Sequence, residues 1–424
     1  MRILKKSNHW PFFVFLFLIL TVSFLSGQIK PDIFAGLKAR RIGPANMSGR
    51  VSAIEGVAAD PDVIYVGAAA GGVWKSTDGG TSWTPIFDDK PVASIGAITV
   101  YQKNPNIVWV GTGESKPRNS VSIGRGVYFS LDAGKTWTLA GLEKTEKISK
   151  ILIHPDNPDV VYVAALGCTW GDSADRGVFK SVDGGKTWRK VLYVNEKTGA
   201  AEMVMDPSNP NKILAAMWEH RRWPWFFVSG GPGSGIYITS DGGEKWEKLS
   251  EKKGLPAGDL GRCGLAFAPS RPEIVYALVE AKKSVVLRSS DGGSNWQVVN
   301  STDNIHNRPF YYSRIWVNPQ NENILYMLAS QMSVSEDGGK TFRSLTSFGQ
   351  AHSDFHAMWI HPDGEIMVVG NDGGVVISFN RGRNWRFVTN LPIGQFYHIN
   401  YDMEFPYKLY GGLQDNGTWV GPAY

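Results

Sequence analysis

The stretch KSTDGGTSWTPI at residues 75–86 places an aspartate beside two glycines, with a tryptophan five positions later. The same S-x-D-x-G-x-x-W pattern returns along the chain as SLDAGKTW, SVDGGKTW, TSDGGEKW, SSDGGSNW, SEDGGKTF and SFNRGRNW. The acidic position of each box, with an amide in the last, is Asp78, Asp132, Asp183, Asp241, Asp291, Asp337 and Asn380. These positions are 43 to 58 residues apart, which indicates a fold built from a repeated unit.

A second motif precedes each box, and it consists of a proline- or asparagine-marked turn and a short apolar run. Examples are DPDVIYVGAA, NPNIVWVGTG, NPDVVYVAAL, RPEIVYALVE and NENILYMLAS. Runs of Val, Ile and Tyr bounded by Asn, Pro and Gly are typical of strands. Four strands in each repeat predict the blade of a β-propeller. We therefore predict an all-β propeller with seven complete blades and part of an eighth, over residues 46–424.

The repeated aspartate has a structural rather than a catalytic interpretation. Its carboxylate can accept hydrogen bonds from turn amides, and glycine adopts the backbone conformation that the turn requires. Asn380 can still accept such bonds but would be a poor nucleophile or base. Phe342 replaces one tryptophan and still fills a hole. We predict that all seven positions hold turns.

The N-terminus has the pattern of a secretory signal peptide over residues 1–27. A basic segment, MRILKKSNHW, precedes the 15-residue apolar run PFFVFLFLILTVSFL and the small residues SG. A membrane span needs about 20 apolar residues, so an uncleaved anchor is the less favoured alternative. We expect a secreted, periplasmic or cell-surface protein with no membrane span after cleavage.

Charge and cysteine content exclude two further classes of protein. The net charge of +5 falls to +2 without Arg2, Lys5 and Lys6 of the leader, which does not favour a nucleic-acid partner. Cys168 and Cys263 are the only cysteines, too few for a disulfide framework.

The boxes resemble the Asp-box repeat of bacterial neuraminidases. This repeat also occurs in xyloglucanase-type glycoside hydrolases and in the N-terminal propeller of sortilin-like receptors. The chain is most similar to exported bacterial proteins of the sortilin-like, glycosyl-hydrolase-related type. The similarity rests on RRIGPANMSGRV (40–51), HSDFHAMWIHP (352–362), NDGG (371–374) and YGGLQDNGTW (410–419).

The resemblance implies binding or hydrolysis of carbohydrate. A non-catalytic module of a surface or secreted assembly that binds a peptide or protein is the alternative. RIGP at residues 41–44 departs from the Arg-Ile-Pro motif of sialidases, and no arginine triad is apparent, so a sialidase is disfavoured. Relatives of this type are longer, and we expect the chain to be part of a tandem propeller. Alternatively, residues 28–45, which include GLKARRIG, supply a strand that closes an eighth blade.

Sites are expected on the loops between the second and third strands of each blade and on the loops that lead from one blade to the next, because both sets surround the channel mouth and rigid scaffolds present functional residues on loops. The long ones span residues 111–126, 165–177 and 218–235. The last contains WEHRRWPWFF, which either plugs the channel or forms a ligand wall. We predict ligand binding by Arg50, Arg125, Trp218, Glu219, Arg222, His306, Arg308 and Gln414, with Asp172 and His220 nearby.

Hydrolysis of a glycoside needs two carboxyl groups, about 5 Å or about 6.5–9.5 Å apart. Asp372 and Asp415 occupy equivalent loop positions in neighbouring units, and Glu114 or Asp354 could substitute for one of them. The alternative is that both aspartates are turn residues preceding glycine.

A divalent metal is a further hypothesis. His352, Asp354 and His356 alternate along an extended stretch, so their side chains could point the same way. The alternative is that they satisfy loop amides and each other. No other cofactor is expected.

Overall fold

A computed structural model describes residues 48–302, 305, 307–347 and 349–422. The predicted signal peptide (1–27) and the lead-in (28–45) lie outside the described residues. Cys168 and Cys263 are both free thiols. Among the residues described, no helix has the length and apolar content needed to cross a bilayer.

The predicted all-β propeller architecture is confirmed, because four-stranded antiparallel sheets follow one another along the chain. The first sheet contains β1 (Val51–Val57), β2 (Asp60–Ala68), β3 (Val73–Thr77) and β4 (Thr84–Pro85). The second contains β5 (Ile95–Val100), β6 (Val108–Thr112), β7 (Val127–Ser130) and β8 (Thr138–Leu139). The third contains β9 (Ile148–His154), β10 (Asn157–Ala165), β11 (Gly177–Ser181) and β12 (Arg189–Leu192). The fourth has an extra strand and contains β13 (Thr198–Asp206), β14 (Asn209–Arg222), β15 (Phe227–Ser229), β16 (Gly235–Thr239) and β17 (Glu247–Lys248).

The pattern continues in the second half of the chain. The fifth sheet contains β18 (Cys263–Phe267), β19 (Val275–Val279), β20 (Val285–Ser289) and β21 (Gln297–Asn300). The sixth contains β22 (Arg314–Asn318), β23 (Asn321–Leu328), β24 (Met332–Ser335) and β25 (Arg343–Ser344). The seventh contains β26 (Phe355–Ile360), β27 (Met367–Asn371), β28 (Gly374–Ser378) and β29 (Arg386–Phe387). A last, three-stranded sheet contains β30 (Phe396–Tyr401), β31 (Lys408–Leu413) and β32 (Thr418–Pro422), and short 3-10 helices lie at Glu143–Thr145 and Glu251–Lys253.

The first strand of each sheet lies innermost, and the seventh sheet packs directly against the first. Val51 and Ile54 of β1 share a buried apolar cluster with Ala357 and Trp359 of β26. A Cβ at Gly56 would lie 2.5 Å from the indole ring of Trp359, so this seam requires glycine. The first seven sheets therefore form a ring around a central bore. Residues 36–43, proposed above to close an eighth blade, are outside the described residues.

The three-stranded sheet contributes one turn to the mouth of this ring. Asn416, between β31 and β32, donates a hydrogen bond from Nδ2 to the backbone oxygen of Asp372 at 2.9 Å. Elsewhere the sheet exposes large apolar side chains, including Phe396, Ile399 and Tyr401.

The Asp boxes have the contacts of a turn scaffold. Ser181 donates a hydrogen bond from Oγ to Asp183 Oδ1 at 2.8 Å and accepts one from the amide of Gly185. The Thr187 hydroxyl donates to Asp183 Oδ2 at 2.6 Å and the Thr187 amide donates to Oδ1 at 2.9 Å. These two bonds, together with that from Ser181, lower the pKa of Asp183 to about 2. Asn380 accepts the corresponding amide, so an uncharged side chain serves in the same turn.

The box tryptophans join neighbouring sheets. Trp137 and Trp188 each donate their indole N–H to a backbone oxygen of the preceding sheet's last segment, at 2.6 Å. Trp296 is buried in a cluster that contains Leu214 and Leu249 of the preceding unit. The box tryptophan therefore packs against the preceding blade as well as against its own blade.

Trp296→Ala should lower the free energy of unfolding by ~3–5 kcal/mol, because it leaves a cavity between the fourth and fifth sheets. Trp225→Ala is the matched control, since the Trp225 side chain is 82% exposed and Trp296 is 4% exposed. Denaturation in guanidinium chloride measures both variants. Equal losses in the two variants would contradict the proposed role of the box tryptophan.

Candidate active site at the mouth of the ring

The predicted loops lie at one end of the ring and are tied together there. The longest is a hairpin, in which β14 extends to Arg222 and pairs with β15. Arg222 donates hydrogen bonds to Asn119 Oδ1 at 2.6 Å and to the backbone oxygen of Pro117 at 3.2 Å. The loop 218–235 is thereby attached to the loop 111–126.

The aromatic hairpin has a buried base and an exposed tip. Trp218 is fully buried, with its ring centroid 4.4 Å from that of His220. Phe227 packs on Phe310 at 4.9 Å. At the tip, the side chain of Trp225 points away from this packing and is largely exposed, together with its neighbour Phe226. The base of the hairpin packs against neighbouring blades, and its tip exposes apolar surface.

Below the loops lies a buried ion pair. Arg50 Nε lies 2.8 Å from Glu114 Oε1, and its Nη2 lies 2.9 Å from Oε2. Both side chains are at most 3% exposed. Burial by itself would lower the pKa of Arg50, but the Glu114 carboxylate holds it above its ordinary value. Glu114 is therefore fixed as a partner of Arg50.

A separate set of hydrogen bonds lies near this pair. His356 Nε2 lies 2.6 Å from Asp372 Oδ1 and 3.4 Å from the hydroxyl of Tyr311. Arg118 donates to the same hydroxyl at 3.2 Å. Burial and the charge of Lys116 hold the pKa of His356 well below its ordinary value, so its ring is neutral. Asp372 is 2% exposed, and its Oδ1 is in hydrogen-bond contact with this histidine.

Two other carboxyl groups remain closer to solvent. Asp354 Oδ1 accepts a hydrogen bond from the hydroxyl of Tyr312. Burial, together with the charges of Asp372 and Asp415, raises the pKa of Asp354 above its ordinary value. The Asp415 side chain is 38% exposed and lies 4.0 Å from Arg118 Nη2. The carboxyl group whose pKa is raised thus lies near a second, more exposed carboxyl group.

The metal hypothesis finds no support in this geometry. Asp354 has φ +64°, which breaks the alternation that the hypothesis assumed. His356 is turned toward Asp372, and His352 lies beside the backbone oxygens of Ser353 and Asp415. Within residues 48–422 as described, His, Cys, Asp and Glu form no group of three able to hold a metal ion.

Two predicted ligand-binding residues lie close to the cluster. The Arg308 guanidinium lies 5.2 Å from the ring centre of Tyr311. Gln414 accepts a hydrogen bond from Ser120 Oγ at 3.2 Å and donates one to Asp415 at 3.1 Å.

Glu219 and Asp172, also named in the sequence analysis, make contacts within or between the loops and not with the cluster. Glu219 Oε2 accepts the amide of Gly233 at 3.0 Å. Asp172 pairs with Arg221 at 3.1 Å, away from the cluster. Arg125 is exposed, and His306 is outside the described residues.

Sequence reasoning missed Lys116, Arg118, Tyr311 and Tyr312. Two local signals were available. KPR at residues 116–118 puts two cations in a long loop, and RPFYY at 308–312 puts aromatic residues directly before an innermost strand.

Removing one partner of the buried Arg50–Glu114 pair should lower the free energy of unfolding more than removing both partners. Arg50→Met or Glu114→Leu alone should lower the free energy of unfolding by ~3–5 kcal/mol, because each leaves an unpaired buried charge. The double variant should lose much less than the sum.

The exposed pair Arg343 and Glu336, 3.1 Å apart, provides the control. The same denaturation cycle there, with alanine substitutions, should give a coupling of about 0–1 kcal/mol. Additive losses at Arg50 and Glu114 would contradict the assignment of a coupled buried pair.

Comparisons with known proteins agree with this architecture. A model of the family described as "Sortilin, neurotensin receptor 3" matches residues 125–256. A probable oligoxyloglucan-reducing end-specific xyloglucanase of Neosartorya fischeri is 26% identical over 302 residues, which cover 63% of this chain and 34% of the relative. The match to a Paenibacillus xyloglucanase covers 63% of this chain and 23% of that protein. The chain thus spans about a third or less of the curated relatives that it matches.

Solved structures share the fold. The GH74 xyloglucanase of Xanthomonas campestris superposes with a TM-score of 0.66 at 16% identity, over 90% of this chain and 60% of that chain. A structure described as YCF48 bound to D1 peptide superposes with a TM-score of 0.53 at 14% identity, over 81% of this chain and 98% of that chain. The chain is therefore an Asp-box β-propeller that is similar to sortilin-like and glycosyl-hydrolase-related proteins.

Proposed function

We propose that this chain hydrolyses a polysaccharide of the xyloglucan class at the mouth of the ring. The observation that carries the proposal is the pair of unequal carboxyl groups, Asp354 and Asp415. Glycosidases need one carboxylic acid that keeps its proton and one carboxylate that is ionised. The similarity to proteins named xyloglucanase supports this class of substrate.

Asp354 is assigned the role of general acid. Its partial burial favours the protonated form, as do the negative charges of Asp372 and Asp415. The Tyr312 hydroxyl fixes one carboxyl oxygen and so orients the group. Asp415 is assigned the role of the ionised partner, because it is accessible and lies within reach of the Arg118 charge.

This assignment changes the pair expected from sequence. Asp372 is bound to His356 and buried, so we propose that it positions the histidine instead of contacting substrate. Glu114 is bound to Arg50 and is excluded as a catalytic acid for the same reason. Asp354, a substitute in the sequence-based hypothesis, takes the place of Asp372.

We propose that the tip of the aromatic hairpin binds sugar rings. Trp223, Trp225 and Phe226 present apolar surface beside the mouth, and concave sites lined with aromatic residues are common for ligands of this size. Loss of this tip should weaken substrate binding more than it slows the chemical step.

Asp354→Asn and Asp415→Asn should each reduce the release of reducing ends from xyloglucan by about 10²–10⁴-fold, the usual contribution of a positioned acid or base. Asp363→Asn, at the opposite end of the seventh sheet, is the control and should retain activity. Full activity in either mouth variant would contradict the assignment.

The pH profile separates a catalytic role of Asp354 from a structural one. The general acid must be protonated, so activity falls as pH rises through its pKa. The Tyr312 hydroxyl lowers that pKa by stabilising the charged carboxylate, so Tyr312→Phe should raise it. The alkaline limb of kcat/KM should then move to higher pH, whereas a purely structural residue would leave the limb in place.

A peptide-binding propeller is the second candidate. The similarity to YCF48, described as bound to a peptide, extends over nearly the whole of that chain. Saturable binding of peptides at the mouth, without turnover of any polysaccharide, would favour this candidate over hydrolysis.

We also propose that the protein is exported through residues 1–27 and that β30–β32 begin a second propeller. The exposed apolar faces of that sheet support the second part, since blades normally bury such faces against neighbours. N-terminal sequencing of exported protein should find Gln28 or a residue close to it. A start at Met1 would contradict cleavage.

A further inference from the structure

Three buried basic side chains lie near one another and near the ion pair of Arg50 and Glu114. Lys116 enters from the loop after β6, Arg262 directly precedes β18, and Arg314 is the first residue of β22. Lys116 and Arg262 are 1% exposed, and Arg314 is 8% exposed. These side chains come from the second, fifth and sixth blades, and the mechanism proposed above uses none of them.

The backbone brings these positions together. A Cβ on Gly264 would lie 2.3 Å from the backbone oxygen of Ser313, so β18 and β22 approach closely just where Arg262 and Arg314 project. Lys116 Nζ donates to the backbone oxygen of His356 at 3.4 Å, beside the start of β26.

Their hydrogen-bonding capacity is largely unused. Among the described residues, Arg314 Nε and Nη2 and Arg262 Nη2 have no hydrogen-bond partner. Arg262 Nη1 donates to the backbone oxygen of Phe310 at 3.0 Å. A buried guanidinium has five N–H donors, and each donor left unpaired costs free energy.

The neighbouring carboxylates do not satisfy these groups. Glu202 Oε2 is 3.8 Å from Arg314 Nη1, at the outer limit of an ion pair. Glu280 Oε2 accepts the backbone amide of Arg262 at 2.8 Å and the hydroxyl of Ser229 at 2.7 Å. Burial and the charge of Arg314 lower the pKa of Lys116 well below its ordinary value, and they lower that of Arg262 to about 9. The cluster therefore lacks an anion within hydrogen-bonding distance.

The bore has room for a small anion. A cavity of about 400 Å³ runs along the innermost strands, and Arg314 and Glu202 are part of its lining, whereas Lys116 and Arg262 are not. A small anion in this cavity would accept the unused N–H groups of Arg314 and offset the repulsion between Arg314 and its basic neighbours.

We propose that the bore holds a small inorganic anion of the halide class, bound by the unpaired N–H groups of Arg314, with Arg262 and Lys116 nearby. The ion stabilises the folded ring and takes no part in the hydrolysis proposed above. The two proposals are independent, since neither Asp354 nor Asp415 contacts these cations in the hydrogen bonds described.

Bromide is the probe. The melting temperature of the full chain should rise and saturate as sodium bromide replaces sodium gluconate at constant ionic strength, since a ligand that binds only the folded state stabilises it. Arg314→Gln should weaken the apparent bromide affinity at least tenfold. Arg343→Gln, which removes an exposed arginine, should leave the affinity unchanged. The same bromide response in both variants, or a rise that does not saturate, would overturn the proposal.

Anomalous diffraction from crystals soaked in bromide decides the question if Arg314→Gln does not fold. The expected result is an anomalous peak within hydrogen-bonding distance of the Arg314 guanidinium. Peaks confined to the outer surface would overturn the site.

Discussion

The contact between blades through the box tryptophan is the constraint on which the rest of this structure depends. Each aspartate holds a turn that sends the tryptophan toward the preceding blade. There the indole both fills the seam and donates its N–H, as Trp137 and Trp188 show. At the closing contact of the ring, Trp83 also fills the seam, since it lies in the cluster that joins the first sheet to the seventh, but its N–H has no hydrogen-bond partner among the described residues. Repetition of this one contact between blades determines the arrangement of the ring, and the ring determines where the loops lie.

A rigid ring allows charged groups to be buried at its mouth. Arg50 and Glu114 come from different blades, yet they form a two-point ion pair that needs well-fixed partners. His356, Asp372 and Tyr311 extend this fixed layer. Asp354 and Asp415 lie above it, and both have positive φ, which turns their side chains away from the regular strands. The proposed chemistry therefore rests on loop residues supported by a buried polar layer.

The fold could be predicted from the sequence because its information is local and repeated. The box and the apolar run each lie within a few residues and recur seven times, so turn chemistry and strand pattern agree. The ring position of the last sheet was less predictable, since a count of repeats does not say which sheets pack together. That depends on contacts such as Trp359 against Gly56, which are 303 residues apart in sequence.

The candidate site was only partly predictable for the same reason. Glu114 and Asp372 were identified as acidic loop residues, but Glu114 pairs with Arg50 and Asp372 hydrogen-bonds with His356, and both partners come from other elements. Asp354 was assigned to a metal site because its neighbours alternate in sequence, whereas its left-handed backbone conformation directs it to Tyr312. A local sequence pattern cannot predict pairs between distant elements, and it cannot predict that one residue has a positive φ.

The most direct measurement is a crystal structure of the Asp354→Asn chain with a xyloglucan oligosaccharide. We predict that the sugar lies across the mouth against Trp225, with a glycosidic oxygen about 2.6–3.2 Å from the amide that replaces the Asp354 carboxyl, within hydrogen-bond reach. An oligosaccharide bound at the opposite end of the bore, or none bound at the mouth at saturating concentration, would contradict the account.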